Sequence, residues 1–384
     1  MRWALILLLL VPLGAVAQLE GPPQFRVADG PWEWDFPRDH GAHPGFGTEW
    51  WYFTGSLLDS NDHRFGYELT FFRVGLRPEP VRAEGGFEPS PWRASDIILA
   101  HFAVTEVDWN RFHLRERSQR AAAGIAGADT TRMHVWIANW SVRHRDDGVF
   151  HIQAREDGLA IDLELVPQRP LVLHGENGLS HKTRDRAQAS YYYSMTRLQT
   201  RGTLTIDDDP RAVSGMTWMD QEFFSGDSPR DGFSWDWFSA RFADGRDLML
   251  GRVRRGGVVD NVFGTVVEAD GSSRPLDTTG AVLSPGRTWT SPWTDATYPV
   301  SWTLEFPAED LQLEVEALVD GQEVHAETTV GFSYWEGLSR YEGTWGGRSA
   351  TGEGYVELTG YDDRTRLQRA DQLESTAADS TGRR

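Results

Sequence analysis

Trp50-Trp51-Tyr52-Phe53-Thr54 decides the fold, because it is a run of aromatic and β-branched residues of the kind that forms strands. Asp59-Ser60-Asn61-Asp62 then supplies turn chemistry, and Phe65 to Val74 reads as the next strand. The same pattern recurs at Phe233 to Phe242, Asp247 to Val253, Val258 to Val267, Trp302 to Phe306, Leu311 to Leu318 and Gly354 to Leu358, with hairpin turns at Asp244-Gly245, Asp270-Gly271 and Asp320-Gly321. The sequence predicts an all-β protein with little helix, a short helix over residues 115–126 being one alternative.

Many short strands favour closed or nearly closed antiparallel barrels, because closure removes exposed strand edges. A length of 384 residues favours two domains. The polar, proline-stopped turn Asp207-Asp208-Asp209-Pro210 marks the predicted boundary, which gives barrels over residues 25–208 and 209–362. Residues 77–95 read as a long insertion loop, and residues 363–384 as a flexible tail.

Composition excludes several classes of function. The chain carries 38 basic against 57 acidic residues, a net charge of −19, which argues against nucleic acid as a partner and against anionic membrane surfaces. It has no cysteine, which excludes disulfides, thiol nucleophiles and cysteine-based zinc sites. Its 17 Trp, 19 Phe and 10 Tyr residues suit pleated surfaces and the walls of apolar pockets.

The first residues read as an export signal. Met1-Arg2 gives a positive start, Trp3 to Val11 is almost wholly apolar, and Ala15-Val16-Ala17 is a small-residue cleavage signature before Gln18. The apolar run is short for an uncleaved membrane anchor. We therefore expect a signal peptide over residues 1–17 and a periplasmic or secreted protein.

One candidate cluster lies between residues 39 and 49. Asp39, His40, His43 and Glu49 offer the imidazole and carboxylate groups that zinc or iron prefers. The alternative is local hydrogen bonding that fixes an access loop, with Asp39, His43 and Glu49 in supporting positions. Because the spacing is not that of a helical metal motif, no metal or other cofactor is predicted.

A second cluster lies within Thr217 to Phe223. Asp220 and Glu222 share one face of a continued strand beside Trp218. Burial and like-charge repulsion would raise one of the two pKa values toward neutrality, which suits acid–base chemistry; a solvated strand end or a salt bridge is the alternative. Asp236 joins these candidates, because neither face of the strand Phe233 to Phe242 is wholly polar.

The single lysine, Lys182, lies near the aromatic stretch Tyr191-Tyr192-Tyr193. It is either a desolvated base that supports the site or an exposed ion pair. The sequence has neither the G-x-S-x-G motif of serine hydrolases nor a G-x-x-x-x-G-K-[ST] phosphate loop.

A series of short motifs spans about residues 32–361, and together they resemble one known family. The motifs are Asp39-x-Gly41-x-His43, Glu49-Trp50-Trp51-Tyr52-x-Thr54-Gly55, His101-Phe102-Ala103, Tyr192-Tyr193-Ser194-x-Thr196-Arg197, Gly215-x-x-Trp218-Met219-Asp220-x-Glu222, Trp235-Asp236-Trp237, Tyr334-Trp335-Glu336-Gly337 and Gly354-Tyr355-Val356-Glu357-Leu358-Thr359-Gly360-Tyr361. They resemble the CrtC/AttH-like family of lipocalin-related proteins, which includes carotenoid 1,2-hydratases and exported proteins labelled predicted secreted hydrolases.

The resemblance implies two lipocalin-like barrels in tandem and suggests a membrane transport partner. It also implies that Asp220 acts as an acid. The sequence departs from the exported branch at Gln221, where His is usual, and at Phe223, where Trp is usual. A missing histidine would remove one proton-relay partner.

Two functions follow as expectations. The first is binding of an apolar or amphipathic ligand, such as a lipid or isoprenoid, in an aromatic-lined barrel or in a cleft between barrels. Its walls are predicted to include Trp50, Tyr52, Trp218, Trp235 and Trp237, although filling of the core is the commoner fate of any single ring. The alternative is a cofactor-free hydratase or hydrolase, in which Asp220 donates a proton while Glu222 or Asp236 orients water.

Export predicts cleavage after Ala17. Mass spectrometry of the mature protein should find Gln18 at the N-terminus, as glutamine or in its cyclised form. A mature protein that retains Met1 would contradict this prediction.

Overall fold

The structure is a computed structural model that describes residues 24–78, 94–226, 232–326 and 329–362. Within these ranges the chain forms β-strands and the short 3-10 turns Arg38–His40, Val107–Trp109 and Pro307–Glu309, with no α-helix. The all-β prediction is confirmed. The predicted signal peptide, most of the predicted insertion loop and the predicted tail lie outside the described residues. None of the helical segments in the described ranges has the length and apolar character that crossing a membrane requires.

The first sheet is antiparallel and has the strand order β4-β3-β2-β1-β13-β12-β9-β8-β7-β6-β5, with β10 and β11 added against β12. It curls until its edge strands β4 and β5 approach each other, which gives a nearly closed barrel. Its strands are β1 (Thr48–Asp59), β2 (Arg64–Gly75), β3 (Asp96–Glu106), β4 (Arg111–Arg120), β5 (Ala126–Ala128), β6 (His134–Ile137), β7 (Trp140–His144), β8 (Phe150–Glu156), β9 (Leu159–Pro167), β10 (Val172–Leu173), β11 (Leu179–His181), β12 (Ala189–Ile206) and β13 (Asp209–Phe224).

The second sheet is also antiparallel, in the order β17-β16-β15-β14-β25-β24-β22-β21-β18, with β23 against β24 and a separate hairpin β19–β20. Its strands are β14 (Phe233–Phe242), β15 (Asp247–Arg255), β16 (Val258–Val267), β17 (Ser273–Pro275), β18 (Val282–Pro285), β19 (Thr288–Thr290), β20 (Thr297–Pro299), β21 (Ser301–Phe306), β22 (Leu311–Ala317), β23 (Glu323–Ala326), β24 (Phe332–Trp345) and β25 (Arg348–Leu358). The predicted strand Phe233 to Phe242 has the same bounds as β14, and Gly245 takes a φ of 95° in the turn that follows it.

The helix considered over residues 115–126 is wrong. Residues Arg111–Arg120 form β4, which pairs with β3 from Glu106 opposite Arg111 to Ile97 opposite Arg120. Pairing along the whole strand satisfies its backbone groups on that side, and this tertiary contact decides the local structure.

The change of sheet lies later than the domain boundary predicted near residue 208. Asp207 and Asp208 form the turn of the β12–β13 hairpin, and β13 then pairs with both β12 and β1. The strand therefore belongs to the first sheet, and the chain passes to the second sheet between Phe224 and Phe233.

Buried side chains form a separate hydrophobic core against each of the two sheets. Trp51, Phe53 and Met219 lie in the first core, and Phe238 and Trp302 lie in the second. Because protein interiors are close-packed, a ligand of useful size has to bind elsewhere. The outward faces of the two sheets meet around Tyr52, Tyr192, Trp218, Trp237 and Tyr355, which form a third buried cluster.

Asp236 does not join the predicted acid–base site. It lies on the face of β14 that also carries Phe238 and Ala240, which enter the second core. Its Oδ2 accepts a hydrogen bond from Arg252 Nε at 2.7 Å, and its Oδ1 accepts bonds from Arg254 Nη2 at 3.0 Å and from Tyr361 at 2.8 Å. These contacts occupy both oxygens of the carboxylate, and its negative charge neutralises the two arginines.

Asp236→Ala should lower the free energy of unfolding by about 3 kcal/mol, because it leaves two largely buried guanidinium groups without their partner. Urea unfolding followed by tryptophan fluorescence measures the effect. The control is Asp244→Ala, which breaks an exposed pair with Arg246 and should cost about 1 kcal/mol or less. Equal losses in both variants would contradict the structural role of Asp236.

Candidate functional site

A cavity of about 520 Å³ lies between the two sheets. The first sheet contributes residues of β1 to β4, β12 and β13, and the second contributes residues of β14 to β16, β24 and β25. Its walls are mainly aromatic and aliphatic, with carboxyl groups spaced among the rings. It is the size of a small-molecule site.

Alternation along the strands decides which side chains reach this cavity. On β1, Trp50 and Tyr52 line it, whereas Trp51 and Phe53 enter the first core. On β14, Trp235 and Trp237 line it. Four of the predicted ligand-binding residues are thus brought together.

Trp218, the fifth predicted wall residue, is fully buried and contacts the carboxylate of Asp220 instead of the cavity. Its indole Nε1 donates a hydrogen bond to Asp220 Oδ1 at 2.7 Å. It also packs edge-on against Trp237, with ring centroids 6.1 Å apart. Trp218 therefore positions the acid rather than lining the cavity.

Asp220 lines the cavity and is held by three donors. Besides Trp218, the hydroxyl of Tyr192 donates to Oδ2 at 2.8 Å, and the hydroxyl of Ser194 donates to Oδ1. Burial raises the pKa of Asp220 to about 7, while these hydrogen bonds act in the opposite direction. The carboxyl therefore exchanges its proton close to neutral pH.

A buried histidine supports this arrangement from behind. His174 Nε2 lies 2.6 Å from Ser194 Oγ, and its Nδ1 lies 2.8 Å from Thr265 Oγ1 on the second sheet. Burial lowers the pKa of His174 to about 3, so the ring is neutral, with one nitrogen donating and the other accepting. This chain of contacts fixes Ser194 and ties the acid to both sheets.

Glu222 and Lys182 form an ion pair in the cavity wall, with Lys182 Nζ 2.7 Å from Glu222 Oε1. The ammonium also lies 4.7 Å from the centroid of the Tyr192 ring and 5.0 Å from that of Phe263. The predicted neighbours Asp220 and Glu222 thus share the cavity, but their environments differ because only Glu222 has a cationic partner there.

Asp39, His43 and Glu49 do not line the cavity; they form a buried network behind the first sheet. His43 Nδ1 lies 2.7 Å from Glu49 Oε1, and His43 Nε2 lies 3.2 Å from Asp39 Oδ1. Arg73 Nε donates to Glu49 Oε2 at 3.1 Å. The described residues contain no group of three or more His, Cys, Asp or Glu with the geometry of a metal site. The contacts favour the hydrogen-bonded loop over the metal.

Gln221 and Phe223 belong to the same network. Gln221 Nε2 donates to Glu49 Oε1 at 2.9 Å, and Phe223 stacks on His43 with centroids 3.6 Å apart. Since consecutive side chains of a strand point to opposite faces, Gln221 points away from the Asp220 carboxyl. Gln221 therefore belongs to the loop network, and among the described residues its side chain makes no hydrogen bond to Asp220.

Sequence reasoning assigned no role to three further carboxyl groups in the cavity: Glu68 on β2, Glu336 on β24 and Glu357 on β25. Burial raises the pKa of Glu68 to about 7 and that of Glu357 to about 8, and it holds the pKa of Glu336 well above its ordinary value. Glu336 and Glu357 lie inside motifs on which the family resemblance is based. Their position in these motifs was the signal in the sequence that could have identified them as site residues.

Comparisons with known proteins agree with this architecture. The AttH-like family matches residues 27–361. The crystal structure of a candidate AttH protein from Nitrosomonas europaea is 31% identical, has a TM-score of 0.75, and covers 86% of this chain and 97% of its own. No curated protein matches the chain.

Two more distant structures share the fold. Kievitone hydratase from Nectria haematococca is 15% identical, with a TM-score of 0.67, covering 89% of this chain and 98% of its own. CghA, solved with Sch210972, is 14% identical, with a TM-score of 0.53, covering 83% and 89%.

The family match extends over both sheets and over every strand that lines the cavity. It includes the motifs on which the resemblance was based. The chain belongs to the AttH-like family.

Proposed function

We propose that this protein binds an apolar or amphipathic ligand between its two sheets and transfers a proton to or from it through Asp220. The reaction is of the hydratase type, which needs no cofactor. The observation that carries the proposal is the Asp220 carboxyl, whose pKa is raised to about 7 in the wall of a mainly aromatic cavity.

Apolar burial supplies the binding energy. Trp50, Phe72, Trp235 and Phe332 are among the rings that line the cavity. Each Å² of apolar surface removed from water contributes about 25 cal/mol before entropic costs. Several buried carboxyl groups do not improve the binding of a purely apolar ligand, and each of them costs desolvation energy. Their presence favours chemistry in addition to binding.

Hydration of an alkene uses these groups in a balanced sequence. Protonated Asp220 gives its proton to one alkene carbon, and the other carbon becomes cationic. The faces of Trp235 and Trp237 stabilise that charge. Water then forms a bond to the cationic carbon and loses a proton to Glu222, which Lys182 holds in place at 2.7 Å. Glu222 then releases that proton to solvent and Asp220 takes one up from solvent, which restores both groups.

The fold is compatible with such a role, since kievitone hydratase, named for adding water, has the same architecture. That likeness extends only to the fold. The assignment to this chain depends on the environment of Asp220.

Asp220→Asn should abolish proton transfer and leave binding intact, because the amide keeps the shape of the carboxyl but has no transferable proton. The assay incubates the protein with acyclic isoprenoid alkenes and follows the gain of one water by mass spectrometry. We expect the rate to fall by about 100-fold or more. Quenching of tryptophan fluorescence reports binding in the same samples.

The matched control is Asp208→Asn in the exposed turn between β12 and β13, where Asp208 has a φ of 63° that Asn accepts. This variant should behave as the wild type. If the wild type binds these alkenes and hydrates none of them, the protein is a binder and the catalytic half of the proposal falls.

Tyr192→Phe should shift the pH dependence of turnover to higher pH. The variant removes a hydrogen bond that favours the ionised form of Asp220, so the pKa of this carboxyl rises further above 7. Activity that needs the protonated acid is lost as pH rises through that pKa, and the loss should therefore come at higher pH than in the wild type.

Tyr334→Phe is the control for this shift, because it removes a cavity hydroxyl that donates to Glu68 at 3.1 Å instead. Rates between pH 5 and 9 measure both variants. Equal shifts in the two variants would show that Asp220 is not the titrating acid.

A further inference from the structure

Glu68 and Glu336 line the cavity, and the described residues leave one carboxyl oxygen of each unpaired. Both side chains are 1% exposed, and Oε2 of each has no hydrogen-bond partner among the described residues. The Oε1 atoms are occupied: Glu68 accepts from Thr70 at 2.9 Å, and Glu336 accepts from the hydroxyl of Tyr52 at 2.6 Å. Native structures rarely leave such atoms unpaired, so each open oxygen marks a place for a ligand donor.

The two acids also lie beside a third. Glu336 is directly opposite Glu357 in the β24–β25 ladder, and like charges at such positions are unfavourable. Among the described residues, the side-chain hydrogen bond to Glu357 comes from Trp235, whose Nε1 donates to its Oε1 at 2.9 Å. The fold gains nothing from this repulsion, which favours a role in binding.

In the described ranges, these three acids have no arginine or lysine partner. Within the part of the chain that the structure describes, no ion pair joins Glu68, Glu336 or Glu357 to a basic residue, whereas Glu222 has Lys182. His101 is 2.7 Å from the Tyr334 hydroxyl that contacts Glu68, but burial lowers its pKa to about 3 and it stays neutral. These acids are therefore free of a cationic partner among the described residues, and a cationic ligand could supply one when they ionise.

The surrounding rings suit a cation. Trp50 and Phe72, with centroids 6.4 Å apart, and Trp235 and Phe332 line the same cavity. The negative faces of aromatic rings attract ammonium groups when water is excluded. Carboxylates and rings together are the components of an ammonium site.

We propose that the ligand of this cavity carries an ammonium group, which Glu68 and Glu336 bind while the rest of the ligand packs against the aromatic walls. This inference rests on the proposed function, because it assigns a ligand class to the same cavity. Burial raises the pKa of both carboxyl groups, that of Glu68 to about 7, and a bound cation favours their ionised forms, so protons should leave the protein as the cation enters. Asp220, Tyr52, Tyr334 and the Glu222–Lys182 pair face the same space and contribute to the total charge.

The experiment compares three probes of equal chain length: octylamine, 1-octanol and octanoic acid. Titration calorimetry at pH 7 in two buffers of different ionisation enthalpy gives both affinity and proton release. We expect octylamine to bind about tenfold or more tightly than 1-octanol, with release of protons, and octanoic acid to bind most weakly. Equal affinities for the amine and the alcohol, or no proton release, would overturn the proposal with the wild type alone.

Substitutions of single carboxyl groups test which of them bind the ammonium group of the ligand. Glu68→Gln and Glu336→Gln should each bring the affinity for octylamine close to that for 1-octanol. Glu342→Gln removes an exposed carboxylate from the same strand as Glu336 and should change nothing. Asp220→Asn should keep the preference for the amine. A preference lost in Asp220→Asn and kept in both glutamine variants would refute this site, while hydration by the wild type would still stand as a separate result.

Discussion

The rest of this structure depends on one constraint. Side chains alternate between the two faces of each strand that separates a core from the cavity. Each such strand has to fill a barrel with one set of side chains and build the site with the other. On β13, Met219 enters the first core, while Asp220 faces the second sheet. A shift of register by one residue would exchange the two sets and destroy core and site together.

The same constraint explains the unusual chemistry of the cavity. Its walls are the outer faces of two sheets, and these faces became an interior when the sheets packed together. Carboxyl groups that would be solvated on a free barrel, such as Glu68 and Glu336, therefore lie in a desolvated space. Burial raises their pKa values, and the backbone pairing of their strands holds them in this place. Stability is given up at the place where we propose that the ligand binds.

Much of the fold followed from the sequence, because aromatic runs and Asp-Gly turns are local signals. The sequence also predicted Asp220, Trp235 and Trp237 as site residues, because alternation along a strand places their side chains on definite faces. The error at Asp236 has the same physical basis: it lies between the two tryptophans and so points the other way, into the second core. Glu336 and Glu357 could not be assigned to the site, because their meeting with β1 and β2 depends on how two sheets pack over long sequence separations.

The departures at Gln221 and Phe223 lie on the face of β13 opposite to Asp220. Gln221 donates to Glu49 and to the Gly41 carbonyl at 3.0 Å and accepts from the Tyr193 hydroxyl at 2.6 Å. A neutral amide can fill both roles at once, so this position requires a donor and an acceptor rather than a titrating group. The requirement belongs to the loop anchor behind the sheet. Asp220 and its three donors lie on the opposite face, so the contacts that hold the acid do not involve the side chain of Gln221.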